Sequence, residues 1–400
     1  MIMTKGNTYK FAAAVLSLLA VACAKVEVVD DSGLTPVTVS TYGQRALGTK
    51  AGASLIAPGE NFAAGDTIVV FGYHHPASAS ADGSWAAETS AGTNNPDFMY
   101  DQNVIKQEDG SWSYSPVKYW PNGYGTGADS KHIDKLSFWG YYPEHALGKG
   151  LTLYAAGSTT DYTNATSGIP KVVFTQNANP DQMIDLMLAV PVKDVYKTMA
   201  HTVGSDTWNY GHLTNGQVDL TFKHALALVE FELAEGTGAV INHLDISNIK
   251  QSGTLADPST IPFVWSNQSG NINIHEEDIS ISTSTLVSML VVPQTLEADA
   301  LDSQKSATVF TLNYDITFAS SDPTHPDPIV YKGDSFSVNL WKDTGVEETT
   351  YGVKQWEAGK RYVYKVTAGL DRIEFEEVVA TDWSIWTDPD DSSNHEINVS

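Results

Sequence analysis

The chain has 400 residues, 42% of them hydrophobic and 18% charged, with a formal net charge of −25. This length exceeds one ordinary hydrophobic core and suits two domains, and the hydrophobic content separates the chain from disordered sequences. With 23 basic residues against 48 acidic ones, no basic stripe exists to displace phosphate counterions, which argues against nucleic acid or anionic lipid as a partner. Cys23 is the only cysteine, so the chain beyond it can form no internal disulfide, cysteine metal site or thiol nucleophile.

At the N-terminus, Lys5 and Lys10 precede an apolar run, 11–22, too short to span a bilayer but suited to a signal-peptide core. It ends in Leu19-Ala20-Val21-Ala22-Cys23, which resembles the bacterial lipobox, with Ala20 departing from the usual Leu or Val. That resemblance implies lipidation of Cys23, which then anchors the chain in a membrane. Glu27, Asp30 and Asp31 follow as an acidic tether.

The mature chain then reads as short strands separated by turn signals. Val37, Val39 and Thr41 alternate with polar residues and predict a first strand over 37–42, followed by an accessible small-residue stretch, 44–53, containing Arg45-Ala46. Residues 68–73 predict a buried strand, and 77–96 an exposed loop rich in Ala, Ser, Gly and Asn. Strands are expected over 98–105, 112–114, 117–120, 136–142, 172–174 and 187–190, with Asp109-Gly110 as a hairpin turn. In 218–233 (VDLTFKHALALVEFEL), Val218, Leu220 and Phe222 set one parity, whereas Val229, Phe231 and Leu233 set the other. Such a slip reverses the buried face, so 223–228 must hold a bulge, a bend or a helical turn. Further strands are predicted over 240–249, 286–292, 307–318, 335–340, 361–366, 373–379 and 397–399. Many short strands without a long amphipathic helix predict an all-β chain of two β-sandwiches. The expected layout is a signal peptide over 1–22, a tether over 23–36, an N-terminal sandwich over 37–236 and a C-terminal sandwich over 237–400.

Candidate chemistry is sparse. His74-His75 is an adjacent pair capable of metal binding but without a third ligand at a readable spacing, which favours a loop role. His224 sits at the parity slip, where a hydrogen-bonded histidine fixing the bend is favoured over a catalytic base. The acidic segment 388–394 lacks the central glycine and final glutamate of a calcium loop, and 123–127 lacks the Lys-Ser/Thr of a phosphate loop. Neither a catalytic constellation nor a cofactor site is evident, so an enzyme is not expected. Trp120, Trp139, Trp265, Trp341, Trp383 and Trp386 are candidates for stacking on sugar rings, though core packing is the favoured role.

An ordered set of segments carries a wider resemblance. It comprises the lipobox at Cys23, GDTIVVFGY at 65–73, VKYWP at 117–121, LSFWGYYP at 136–143, DLMLA at 185–189, LTFKHALA at 220–227, VVPQT at 291–295 and WEAGKRYVY at 356–364. In this the chain resembles the fimbrillin family of Bacteroidales, the lipoprotein-derived subunits of type V pili (major or minor fimbrium-like lipoproteins). The resemblance implies two tandem transthyretin-like β-sandwich domains, export to the cell outer membrane and adhesion without catalysis. It further implies cleavage by an arginine-specific protease between Arg45 and Ala46, removing 37–45 with plug residues Val37, Val39 and Thr41. The groove left behind would accept a strand from another fimbrial subunit, with Ile397 and Val399 as donor residues, or else Phe375, Val378 and Val379. The alternative is a non-polymerising surface lipoprotein of the same fold: a pilus anchor, an accessory subunit, or a glycan-binding protein recognising host or bacterial surface ligands.

Overall fold

Apolar runs such as IVVF at 68–71 have no polar alternation because their strands are buried on both faces. The computed structural model describes residues 35–42, 62–121, 132–196, 216–234, 239–277, 284–318, 329–343, 350–368, 373–375 and 378–382. In chain order the first strands are β1 (Thr38–Tyr42), β2 (Thr67–His75), β3 (Met99–Lys106), β4 (Trp112–Ser113) and β5 (Lys135–Tyr142). Next come β6 (Leu151–Tyr154), β7 (Lys171–Thr175), β8 (Met187–Ala189), β9 (Val192–Val195), β10 (Gln217–His224) and β11 (Ala227–Ala234). The remainder are β12 (Ala239–Leu255), β13 (Trp265–Glu277), β14 (Ser284–Val291), β15 (Gln294–Thr295), β16 (Val309–Phe318) and β17 (Ile329–Asn339), then β18 (Trp341–Asp343), β19 (Thr350–Gly352), β20 (Gln355–Trp356), β21 (Lys360–Ala368), β22 (Ile373–Phe375) and β23 (Val379–Asp382).

These strands form three larger sheets. The first runs β1-β10-β8-β5-β2-β3-β4, with β9 also paired to β5. A second runs β14-β11-β21 and is flanked by β22 and β23. The third runs β17-β16-β12-β7-β6, and β13 adds to the other side of β12. The first sheet faces two cores. Ile68, Val70, Leu136, Phe138, Val218, Leu220 and Phe222 point into one core; Val69, Phe71, Tyr73, Trp139 and Tyr141 point into the other, shared with the second and third sheets.

The parity slip is the hand-over between these cores. β10 ends at His224, Ala225-Leu226 cross over, and β11 begins in the second sheet. The crossing backbone is bonded at three points: Ala225 N–H donates to the Leu186 carbonyl at 2.8 Å, Trp265 Nε1 to the Ala225 carbonyl at 2.7 Å, and Gly359 N–H to the Leu226 carbonyl at 2.9 Å. His224 is buried, its Nδ1 lying 2.8 Å from Asp185 Oδ1, so it fixes the bend as expected. The alternation left Glu230 on a polar face, yet it is buried, because Arg361 Nε (2.5 Å) and Ser288 Oγ (2.9 Å) satisfy its carboxylate.

Three expectations are corrected. The exposed loop 77–96 contains a helix, α1 (Trp85–Ala91), capped by Ser84 and ended by left-handed Gly92; two turns are too short to display a period. Residues 117–120 form no strand, only a bridge from Tyr119 to Pro36. β13, thirteen residues of mainly polar sequence, is absent from the predicted set; its buried Ile272 and Ile274 are too few to announce it, and pairing with β12 holds it in place.

Candidate functional site

The strand that begins the described chain is also the edge of the first sheet. β1 pairs parallel with β10, Val39 opposite Val218 and Thr41 opposite Leu220. Val37 and Val39 are 1% and 5% exposed and belong to the same core as Val218, Leu220 and Phe222. The alternation that predicted the strand therefore also identified its buried face. Thr41 follows the same parity, but its buried hydroxyl has no hydrogen-bond partner among the described residues.

The entry to β1 is clasped from both sides. Val37 N–H donates to the Lys118 carbonyl at 2.8 Å and Trp120 N–H to the Thr35 carbonyl at 2.9 Å. Tyr114 donates its hydroxyl to the Val37 carbonyl at 2.6 Å, and burial pushes that hydroxyl's pKa up to about 12, so it remains a neutral donor at physiological pH. Trp120 Nε1 reaches the Gly216 carbonyl at 2.9 Å, and Thr38 N–H donates to the same carbonyl at 3.2 Å. Along the strand, Ser40 Oγ donates to Asp219, which also accepts from Gln217 Nε2 at 2.8 Å.

The first sheet curls so that β4, at the far end of its path, comes back beside β1. Phe62 fills the interior, edge-on to Trp112 at 5.4 Å, Tyr142 at 5.1 Å and Phe222 at 5.5 Å. β1 thus closes a groove walled by β10, β4 and the 118–120 segment. The groove's ladder bonds and side-chain pockets recognise an edge strand by alternation, and β1 meets them with Val37 and Val39. Asp219, Tyr114, Trp120 and Gly216 complete the clasp. Sequence reasoning missed their roles, since a polar Asp at an alternating position signals solvent and not a buried partner.

The other candidates fall as follows. Cys23, Arg45, Ala46, Ile397, Val399, Trp383, Trp386, 123–127 and 388–394 lie outside the described residues. Ile373–Phe375 and Val379–Asp382 flank β21, paired to its two halves. Trp120, Trp139, Trp265 and Trp341 are all buried and so are unavailable for stacking on sugars. His74 and His75 end β2 instead of lying in a loop. His74 Nε2 lies 3.1 Å from Asp134, whereas buried His75 contacts Glu88 at 2.6 Å and Ser137 at 2.8 Å.

Among solved structures, a fimbrial protein from Bacteroides vulgatus overlaps with a TM-score of 0.53 at 16% identity, covering 88% of this chain and all of the other. At that identity the likeness is one of fold. The tip fimbrial protein Mfa3 from Porphyromonas gingivalis (TM-score 0.34, 10% identity, 80% of this chain and 95% of the other) overlaps more loosely. So does the anchor protein Mfa2 of the same organism (TM-score 0.32, 10% identity, 88% and 98%). No curated protein matches. The sequence pattern described as fimbrillin-like matches residues 49–383, and the chain belongs to that family.

Proposed function

We propose that this chain is a structural subunit of a type V pilus, exported as a lipoprotein through Cys23 and assembled by protease-assisted strand exchange. Family membership supports a fimbrial or adhesion-related, non-enzymatic role at the cell surface. The observation that carries the finer reading is the placement of β1: an edge strand, its valines in a core, joined to the rest of the chain through the segment containing Arg45-Ala46. Cleavage there would separate Val37, Val39 and Thr41 from the molecule and leave the Val218–Leu220–Phe222 wall in need of cover. A strand carrying alternating apolar residues, such as Ile397 and Val399, supplies that cover, and the unpartnered Thr41 hydroxyl gives an apolar newcomer an advantage over the resident.

The test is Arg45→Ala in the cell of origin, with intact mass and N-terminal sequence read on surface protein. The expected outcome is a lipidated monomer starting at Cys23, against a wild type starting at Ala46 in concentration-dependent ladders. Normal fibres from the variant would refute cleavage at this bond.

A further inference from the structure

A second feature of the first sheet lies away from the groove. β3 carries a bulge: Val70 pairs with Gln102 and Gly72 with Met99, so Tyr100 and Asp101 together oppose Phe71. Asp101 adopts the left-handed conformation at φ +49°, which a non-glycine residue takes at a cost. Bulges re-aim side chains, and this one directs two neighbours to the same place. Tyr100 and Asp101 both line a cleft of about 280 Å³.

The cleft has a distinct chemistry. Buried Phe71, Leu151 and Tyr162 lie beneath it, whereas Tyr100 (42% exposed) and Leu147 (41%) form its rim. Tyr100 stacks on Tyr162 at 6.5 Å and is held there by its hydroxyl, which donates to the Tyr162 carbonyl at 3.0 Å. Asp101 and Asp161 bring two carboxylates to the lining, and neither is ion-paired among the described residues. Burial raises the Asp101 carboxyl's pKa, and a hydrogen bond from the Tyr141 hydroxyl at 3.5 Å offsets part of that rise. Tyr162 donates to the Gly168 carbonyl at 2.6 Å and Gly148 N–H to the Leu151 carbonyl at 3.1 Å, whereas Thr152 adds one hydroxyl to the lining.

A cleft of acceptors and aromatic faces fits a ligand that only donates and carries positive charge. An anion would meet two carboxylates, and a neutral sugar ring, although its hydroxyls can donate to them, would leave their charge uncompensated. A lysine or arginine side chain matches both parts, its methylene stem along the leucines and its head between the carboxylates and Tyr100. We infer that the cleft formed by Tyr100, Leu147, Asp101 and Asp161 binds a basic side chain of a partner protein. The bulge places Tyr100 and Asp101 for that contact. This surface is separate from the strand groove and does not depend on polymerisation.

The experiment is calorimetric titration of the full chain with Nα-acetyl-arginine amide, its neutral citrulline counterpart and N-acetylglucosamine. The arginine probe should bind saturably and about tenfold or more tighter than citrulline, since charge-assisted bonds carry the difference. Asp101→Asn, which keeps a residue type tolerant of the left-handed backbone, and Asp161→Asn should each weaken it by a similar factor. Asp101→Gly should keep or raise Tm while weakening binding at least as much as Asp101→Asn, which separates a ligand role from a folding role. Equal binding of citrulline, a preference for the sugar, absence of saturable arginine binding, or indifference to both Asn substitutions would each overturn the proposal.

Discussion

At the scale of single residues, the edge strand combines well-satisfied and unsatisfied contacts. The Thr41 hydroxyl is buried without a partner among the described residues, a state that costs about 1–3 kcal/mol. Thr41→Val replaces it with a methyl of nearly the same shape, so the urea midpoint should rise by the equivalent of about 1 kcal/mol. A fall would show that water or another group serves this oxygen. Tyr114 provides the pH test. Its native pKa is raised to about 12 by burial, whereas an unfolded tyrosine ionises near 10, so the native state holds the proton more tightly. The buried neutral hydroxyl therefore contributes its stability fully below pH 10, and that contribution is lost as pH rises through about 12. The stability difference between wild type and Tyr114→Phe should shrink over that window, as followed by urea titrations at successive pH values. Val37 and Val39 were legible from alternation alone. The burial of Asp219 and Glu230 was not, because their partners, Ser40 and Arg361, lie 179 and 131 residues away.

At the scale of elements, the clasp around β1 depends on a glycine. Gly216 has φ +83°, and a Cβ there would stand 2.9 Å from both Thr35 Cγ2 and Trp120 Nε1. Gly216→Ala should loosen the entry of β1 and not the sheet behind it. Limited proteolysis should release the N-terminal segment faster, while Tm falls by only a few degrees. Equal protection would mean that the clasp accommodates a methyl group. Element identity was legible where apolar runs or alternations were long, as in β2, β5 and β14. It failed for α1, where caps and not periodicity define two turns, and for β13, where the partner strand supplies the order. The parity slip at 223–228 was legible as an irregularity, but its meaning was not. Two opposite buried faces imply two cores only when the sheets on either side are known.

At the scale of the whole molecule, charge opposes association. Copies bearing −25 repel, and salt shortens that repulsion from about 30 Å at 0.01 M to about 8 Å at 0.15 M. Assembly by the proposed route should therefore accelerate as ionic strength rises across this range, read by light scattering. A rate that falls with salt would indicate that complementary patches steer the encounter. The sequence by itself determined the all-β class, the alternating first strand and the unusual central segment, because these rest on local period and steric preference. Only the tertiary structure decided that β1 lies parallel against β10, that the sheet curls back beside β1, and that four tryptophans are buried. It alone also placed Tyr100 and Asp101 together over one cleft. Each of these depends on hydrogen bonds and contacts between residues far apart in the chain, for which local pattern sets no energy.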